Sequence, residues 1–550
     1  MSVYDQKPWL KHYGSVPKEL TAKPQPLYDI ICRWTNQTKR VAVVTEKEQI
    51  TYPHLWDLIR RVAEGMRQQG VMAGDRVALL LPNSVAFLEA YFGALLLNAA
   101  VVPLNPLYTM TELATLLQDS EPQVLIAPPE LVRVVPPNLL PLPWPVVIAS
   151  SDNDEEKELD AKKLYPQAGL FTEWLKLSPI KEEKIAPVDP IKDTALIQYT
   201  GGTTGVPKGA MLTHWNLLAN AEQSRLWIEG LLSSEQDVTL IALPLFHAYG
   251  MTVGMNLGLL IGSRLVLIAR FHPESASRTI EQTRPTLFPG APTMYVALSQ
   301  YAREHNLDLR SITGCISGSA PLPQHVQEGF EQLTGGKIVE GYGLTEASPV
   351  THCQPLWPVD YHRRGIGLPY PSTQARIVDE AGRDVPVGEV GELIVQGPQI
   401  MQGYWRRPED TLSVLRQRWL YTGDLAKMDE EGYFSIEARK KDLIICSGFN
   451  VYPSEVEEVL YRFPGIQEVS VVGIPDAYRG ESVRAYIVPR ADTKIELEAI
   501  NEFCQQHLAS YKRPRSYRIV DDLPKSAIGK ILRRELARQA AQDVEINGEK

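Results

Sequence analysis

A chain of 550 residues exceeds what one hydrophobic core sustains and predicts at least two domains. Its 44% hydrophobic and 22% charged residues describe a globular protein and exclude wholesale disorder, while 66 acidic against 56 basic residues leave a net charge of −10 that repels nucleic acid. The five cysteines, Cys32, Cys315, Cys353, Cys446 and Cys504, are scattered singly, which excludes a zinc-type pair, argues against a disulfide framework and suits a reducing compartment.

Residues 1–13 lack the apolar run of a signal peptide. Residues 76–81 (RVALLL) predict a buried strand, 111–118 a helix and 124–127 another strand. Residues 87–104 are apolar but carry Glu89 and Asn98. Residues 128–190 are rich in Pro, Asp, Glu and Lys, with 150–159 nearly all polar, and predict a surface excursion without a functional role. Strands are expected at 194–198, 238–243, 264–268 and 337–339. The most apolar stretch, 241–269, contains Pro244, His247, several glycines and Arg264, and predicts buried core rather than a membrane span. Residues 374–378 and 391–395, with turns between them, predict an antiparallel β region.

A smaller unit is expected from about residue 440. Ser454 and Glu457 have capping-box spacing, and Val456, Val459, Leu460 and Phe463 follow at helical spacing. Strands at 468–473 and 484–488 and a helix at 497–508 complete it. The fold class is therefore α/β: a large N-terminal body of layered α/β sheets plus a β-barrel-like region (1–438), and a small mobile α+β C-terminal domain (439–550). The chain ends Asn-Gly-Glu-Lys without a lipidation or peroxisomal signal, and a soluble cytoplasmic protein is the expectation.

Residues 199–209 (YTGGTTGVPKG) follow a short strand. Their glycines permit positive φ and close approach of backbone to a ligand. Backbone N–H groups and the Thr200, Thr203 and Thr204 hydroxyls could surround phosphate oxygens, with Lys208 adding a point charge. Neither G-x-x-x-x-G-K nor G-x-G-x-x-G occurs, and composition alone fits a flexible glycine-rich turn equally well. No H-E-x-x-H or G-x-S-x-G occurs either, so zincin and α/β-hydrolase readings lack support.

The stretch resembles the phosphate-binding loop of the adenylate-forming superfamily, which includes acyl-CoA synthetases, firefly luciferase and peptide-synthetase adenylation domains. Segments 341–349 (GYGLTEASP), 421–424 (YTGD), 439–442 (RKKD) and 524–530 (PKSAIGK) match in the family's order. The resemblance implies an ATP and AMP site formed by Thr200, Gly201, Gly202, Thr203, Thr204, Gly205, Lys208, Gly318, Ser319, Ala320, Gly341, Gly343 and the residues that follow. It implies that Tyr342 stacks on adenine, Thr345 contacts phosphate, and Glu346 holds Mg2+ with Thr203. Asp424 and Arg439 would bind ribose; Ala438 stands where relatives often carry Asp.

Lys530 is the implied principal catalytic residue, bridging the substrate carboxylate and the α-phosphate, with Glu346, Thr345 and His247 also in the catalytic set. Lys441 aligns with the hinge about which the tail rotates between half-reactions, and Gly448 and Phe449 would then face coenzyme A. His247, Gly290, Gly318 and Gly341 resemble acyl-pocket walls, where burial at ~0.8 kcal/mol per methylene would select chain length. Lys512, Arg513 and Arg515 form a basic cluster, read as solvated surface or as an attractor of CoA phosphates.

Segment 419–453 (WLYTGDLAKMDEEGYFSIEARKKDLIICSGFNVYP) is similar to the fatty acyl-CoA synthetase signature, and 288–351 agrees. The expectation is a long-chain fatty acid–CoA ligase using fatty acid, ATP, Mg2+ and coenzyme A. Medium-chain or aryl acid ligases, carrier-protein-loading or luciferase-like enzymes, and a non-catalytic binder are the alternatives. Homodimerisation and transient membrane contact are left open.

Overall fold

The computed structural model describes residues 2–45, 49–130, 145–200, 207–233, 235–356, 365–476, 478–490, 493, 495–526 and 529–547. Over these residues, an eight-stranded sheet runs in the order Gly403–Tyr404, Lys208–Thr213, Thr194–Thr200, Ala100–Pro103, Arg76–Leu79, Val124–Ala127, Val146–Ile148, Gly169–Leu170. From Thr194–Thr200 outward the neighbours are parallel; the first two strands are antiparallel additions. Helices Tyr52–Gln68 and Val85–Leu96 pack against each other beside it. Tyr52, Leu55, Ile59, Val62, Ala63 and Met66 are buried at helical spacing, and every residue of Val85–Leu96 is buried, with Ser84 capping it.

A second sheet, Val238–Ile241, Arg264–Leu267, Val41–Val44, Gln49–Thr51, is joined through bridges at Leu287 to a third, Gly314–Ser317, Lys337–Gly343, Val350–Cys353, Leu368–Pro369. The expected antiparallel β region comprises Gln374–Val378, Gly391–Gln396, Leu415–Arg416, Trp419–Met428 and Phe434–Arg439. The segment 241–269 is buried as expected, and holds a π-helical turn at Gly250–Asn256 between its strands. One hydrophobic cluster extends from Tyr4 to Phe434. Separate clusters cover the two faces of the last sheet, which comprises Phe449–Val451, Ile444–Cys446, Gly480–Pro489, Ile466–Asp476 and Ser516–Ile519.

Three expectations are corrected. The segment 128–190 is not a simple surface excursion: Val146–Ile148 and Gly169–Leu170 extend the eight-stranded sheet, and helices Glu155–Leu164 and Phe171–Leu175 flank them. Its charge count concealed a buried Glu158, whose carboxylate accepts from Ser150 N at 3.0 Å and from Thr172 N at 3.0 Å. Trp174 is buried against Gly65, where any side chain would overlap its indole.

The capping box at Ser454 does not form. The N-cap is Tyr452, two residues before Ser454, and Pro453 starts helix Pro453–Tyr461; Ser454 donates to the Glu437 carbonyl, and Glu457 accepts from Val471 N and pairs with Arg533. Finally, strand Lys337–Gly343 does not end at Val339. It continues through Gly341–Gly343, which pair with Val350–Cys353.

Candidate active site

Gly201, Gly202, Thr203, Thr204 and Gly205 lie outside the described residues. The strands on either side are described: Thr200 pairs with Lys208, and its Oγ1 lies 3.4 Å from the Lys208 carbonyl oxygen. The Lys208 ammonium pairs with Asp410 and lies 5.4 Å from the centroid of the Tyr404 ring. Thr345 and Glu346 occupy the 3-10 turn Thr345–Ala347. The Tyr404 hydroxyl donates to Glu346 Oε1 at 2.7 Å.

Asp424 and Arg439 face each other on neighbouring antiparallel strands, Trp419–Met428 and Phe434–Arg439. Arg439 Nε is 3.2 Å from Asp424 Oδ1, and the Tyr342 hydroxyl donates to Oδ2 at 2.6 Å. Asp424 is thus buried but held by a cation and a hydroxyl. Burial opposes the Arg439 charge, but Asp424 and then Tyr342 hold its pKa above the ordinary value. The Tyr342 ring meets His352 edge-on, with centroids 6.0 Å apart. Ala438 is buried opposite Leu425 on the same strand pair.

Lys530 reaches this cluster from the tail. Its loop precedes helix Arg533–Asn547 and is closed by Ser526 N donating to the Lys530 carbonyl at 2.8 Å and by a bridge between Lys525 and Ile531. Burial, then the Arg439 charge, lower the Lys530 pKa to about 8, with Asp424 acting in the opposite direction. The His247 pKa falls to about 4, by burial first and Lys530 second, and its Nδ1 accepts from Tyr249 N at 3.2 Å. His247 is therefore neutral at physiological pH.

The Gly290, Gly318 and Gly341 backbones are closely packed. A Cβ would come within 3.0 Å of Tyr295 at Gly290, 3.0 Å of Tyr249 at Gly318, and 2.9 Å of Ile316 at Gly341. Ser319 holds a left-handed backbone, φ 73°, between Gly318 and Ala320. A narrow apolar cavity of about 20 Å3 lies close by, with Val253, Leu287, Pro289, Cys315 and Ile316 among its walls. None of the four expected acyl-pocket residues lines it.

The structure therefore brings Lys530 into one electrostatic group with His247, Asp424, Arg439 and Tyr342, and links Lys208 and Glu346 through Tyr404, with Asp410 paired to Lys208. Lys441 lies two residues after Arg439 of this group. Gly448, φ 82°, lies in the turn between the tail strands Ile444–Cys446 and Phe449–Val451; Phe449 is 56% exposed and stacks on Tyr511 at 4.8 Å. Tyr404 and Asp410 were not singled out by the sequence reading, because neither carries a motif; their proximity to Lys208 depends on strand Gly403–Tyr404 pairing with Lys208–Thr213.

This α/β body, with charged groups gathered around Asp424 and a lysine entering from a second core, is that of an adenylate-forming enzyme. The AMP-binding enzyme family model matches residues 33–405, and that of the AMP-binding enzyme C-terminal domain matches 455–530. The chain belongs to the AMP-binding enzyme family. A long-chain-fatty-acid–CoA ligase of Bacillus subtilis (strain 168) is 40% identical over 560 residues, covering 98% of this chain and 99% of that protein. A feruloyl-CoA synthase of an Amycolatopsis species is 37% identical over 496 residues, covering 89% and 94%. Among solved structures, ATP-bound MatB from Rhodopseudomonas palustris superposes with a TM-score of 0.81 at 30% identity, covering 93% of this chain and 98% of that one.

Proposed function

We propose that this chain is an ATP-dependent long-chain fatty acid–CoA ligase. The acid's carboxylate oxygen attacks the α-phosphorus of ATP, the bond to pyrophosphate breaks, and acyl-AMP forms. The thiolate of coenzyme A then attacks the acyl carbon, and AMP leaves. The adenylation step is carried by the meeting of Lys530, from the tail, with Asp424, Arg439 and His247 of the body. The choice of acid is supported by similarity to long-chain-fatty-acid–CoA ligases along nearly the whole chain.

In this reading the Lys530 ammonium follows the negative charge that builds on the carboxylate and α-phosphate. Asp424 accepts from the ribose hydroxyls, with Arg439 beside it, and Tyr342 packs against adenine. Thr200, Gly201, Gly202, Thr203, Thr204, Gly205 and Lys208 cradle the β- and γ-phosphates. Gly318, Ser319, Ala320, Gly341 and Gly343 supply backbone around the nucleotide, and Thr345 contacts phosphate. Neutral His247, with Gly290, Gly318 and Gly341, borders the acyl group.

Glu346 fits a Mg2+ ligand: it is a half-buried carboxylate with one oxygen already oriented by a tyrosine hydroxyl, next to a phosphate-facing lysine. Mg2+, held there with Thr203 and the phosphates, supplies charge neutralisation on the triphosphate. The chain divides at 438/439 in this account, supported by the separate clusters on the two sides, and the tail turns about Lys441 so that Gly448 and Phe449 meet coenzyme A.

The enzyme would work in the cytoplasm and meet its acid at the membrane surface; no described helix is long and apolar enough to cross a membrane. A homodimer is compatible with this reading. An aryl-acid ligase is the second reading, favoured by the feruloyl-CoA synthase relative. Pyrophosphate release measured over saturated acids of increasing length and over aryl acids, with and without coenzyme A, separates the two. Long-chain acids are expected to be turned over best; a preference for aryl acids would replace the first reading with the second.

A further inference from the structure

Lys208 and Glu346 come from distant parts of the chain, and segment 401–411 connects them. Met401 N donates to the Glu346 carbonyl at 2.8 Å, and Trp405 N donates to the Gly209 carbonyl at 2.7 Å. Between these points Gly403 and Tyr404 pair with Met211 and Ala210, and Tyr404 N donates to Thr411 Oγ1 at 2.8 Å. Asp410, farther along, takes the Lys208 ammonium. The backbone at Tyr404 is therefore fixed on both sides before its side chain is considered.

That side chain touches both phosphate-facing groups. The hydroxyl donates to Glu346 Oε1 at 2.7 Å, and the Lys208 ammonium lies 5.4 Å from the ring centroid. We propose that Tyr404 is a positioning residue that sets the Glu346 carboxylate and the Lys208 ammonium as one unit for a metal-bound triphosphate. This rests on the roles given to Glu346 and Lys208 under the proposed function. The terminal torsion of a glutamate is broad, so without the hydroxyl the carboxylate must be ordered anew each time metal binds. Groups that orient a metal ligand are typically worth about 10–100-fold in metal affinity.

The test uses full-length wild type, Tyr404→Phe, Tyr404→Leu and Glu346→Gln. ATP binding is measured calorimetrically, without acid or coenzyme A, over a series of Mg2+ concentrations, with metal-free AMP as the control ligand. Tyr404→Phe is expected to raise the Mg2+ concentration for half-maximal ATP binding about 10-fold and leave AMP affinity unchanged. Tyr404→Leu, which also removes the ring, is expected to weaken metal-free ATP binding in addition. Because Tyr404→Phe keeps the packed ring, it decides the matter even where Tyr404→Leu fails to fold. The inference is overturned if Glu346→Gln raises the Mg2+ requirement while Tyr404→Phe does not, or if Tyr404→Phe weakens AMP and Mg·ATP equally. An unchanged Mg2+ requirement in Glu346→Gln would instead remove the metal role of Glu346, and this inference with it.

Discussion

Lys530 carries its charge where the surroundings resist it. Burial and the neighbouring Arg439 bring its pKa to about 8, so a fraction of the free enzyme loses the ammonium at mildly alkaline pH. The ammonium is the form that attracts a triphosphate. kcat/KM for ATP, which reports the free enzyme, is therefore expected to fall as pH rises through about 8. Lys530→Arg, which stays charged, should lose that alkaline limb. Lys530→Ala should slow acyl-AMP formation by ~10²–10³-fold at neutral pH. Asp424 makes a second test at this scale. Its carboxylate is already aligned by Arg439 and Tyr342, so the ribose contact proposed for it would need little reordering. Hydrogen bonds to a charged group contribute roughly 1.5–3 kcal/mol, so Asp424→Ala should weaken AMP binding by about 10–150-fold in a calorimetric titration.

At the scale of elements, strands of the body were legible where apolar runs such as 76–81 and 264–268 favour burial. The motif residues were legible for another reason: Asp424, Arg439 and Lys530 sit in short strings whose order along the chain resembles a known family. Legibility failed where long-range pairing overrides local composition. The segment 128–190 reads as a surface excursion, yet Glu158 is satisfied by Ser150 and Thr172, and Trp174 fills the space over Gly65. Trp174→Ala is expected to cost about 3–5 kcal/mol in denaturant unfolding while leaving AMP affinity unchanged. Ser454 and Glu457 have the right spacing for a capping box, but partners brought in by the fold, Glu437 for the one and Val471 and Arg533 for the other, outcompete that local arrangement. Tyr404 and Asp410 escaped the sequence reading because their partners are set by the strand pairing at the end of the eight-stranded sheet.

Across the whole molecule, the site depends on how the tail meets the body. Gly529 has φ 75°, and a Cβ there would lie 2.6 Å from Thr293 Oγ1, so the loop carrying Lys530 fits against the body only with glycine at this place. A side chain in the left-handed region costs roughly 1–2 kcal/mol before the clash is counted. Gly529→Ala is therefore expected to slow acyl-AMP formation at least ~10-fold. Under the proposed rotation of the tail away from this contact, conversion of pre-formed acyl-AMP to acyl-CoA should be spared. The central claim is that the acid passes through a mixed anhydride with AMP. It is tested most directly by giving the enzyme a long-chain acid labelled with 18O in both carboxylate oxygens, together with ATP, Mg2+ and coenzyme A, and analysing the nucleotide product by mass spectrometry. Adenylation predicts AMP carrying one labelled oxygen, transferred when the thiolate displaces it from the acyl carbon. Unlabelled AMP, or ADP with the label in inorganic phosphate, would contradict the account.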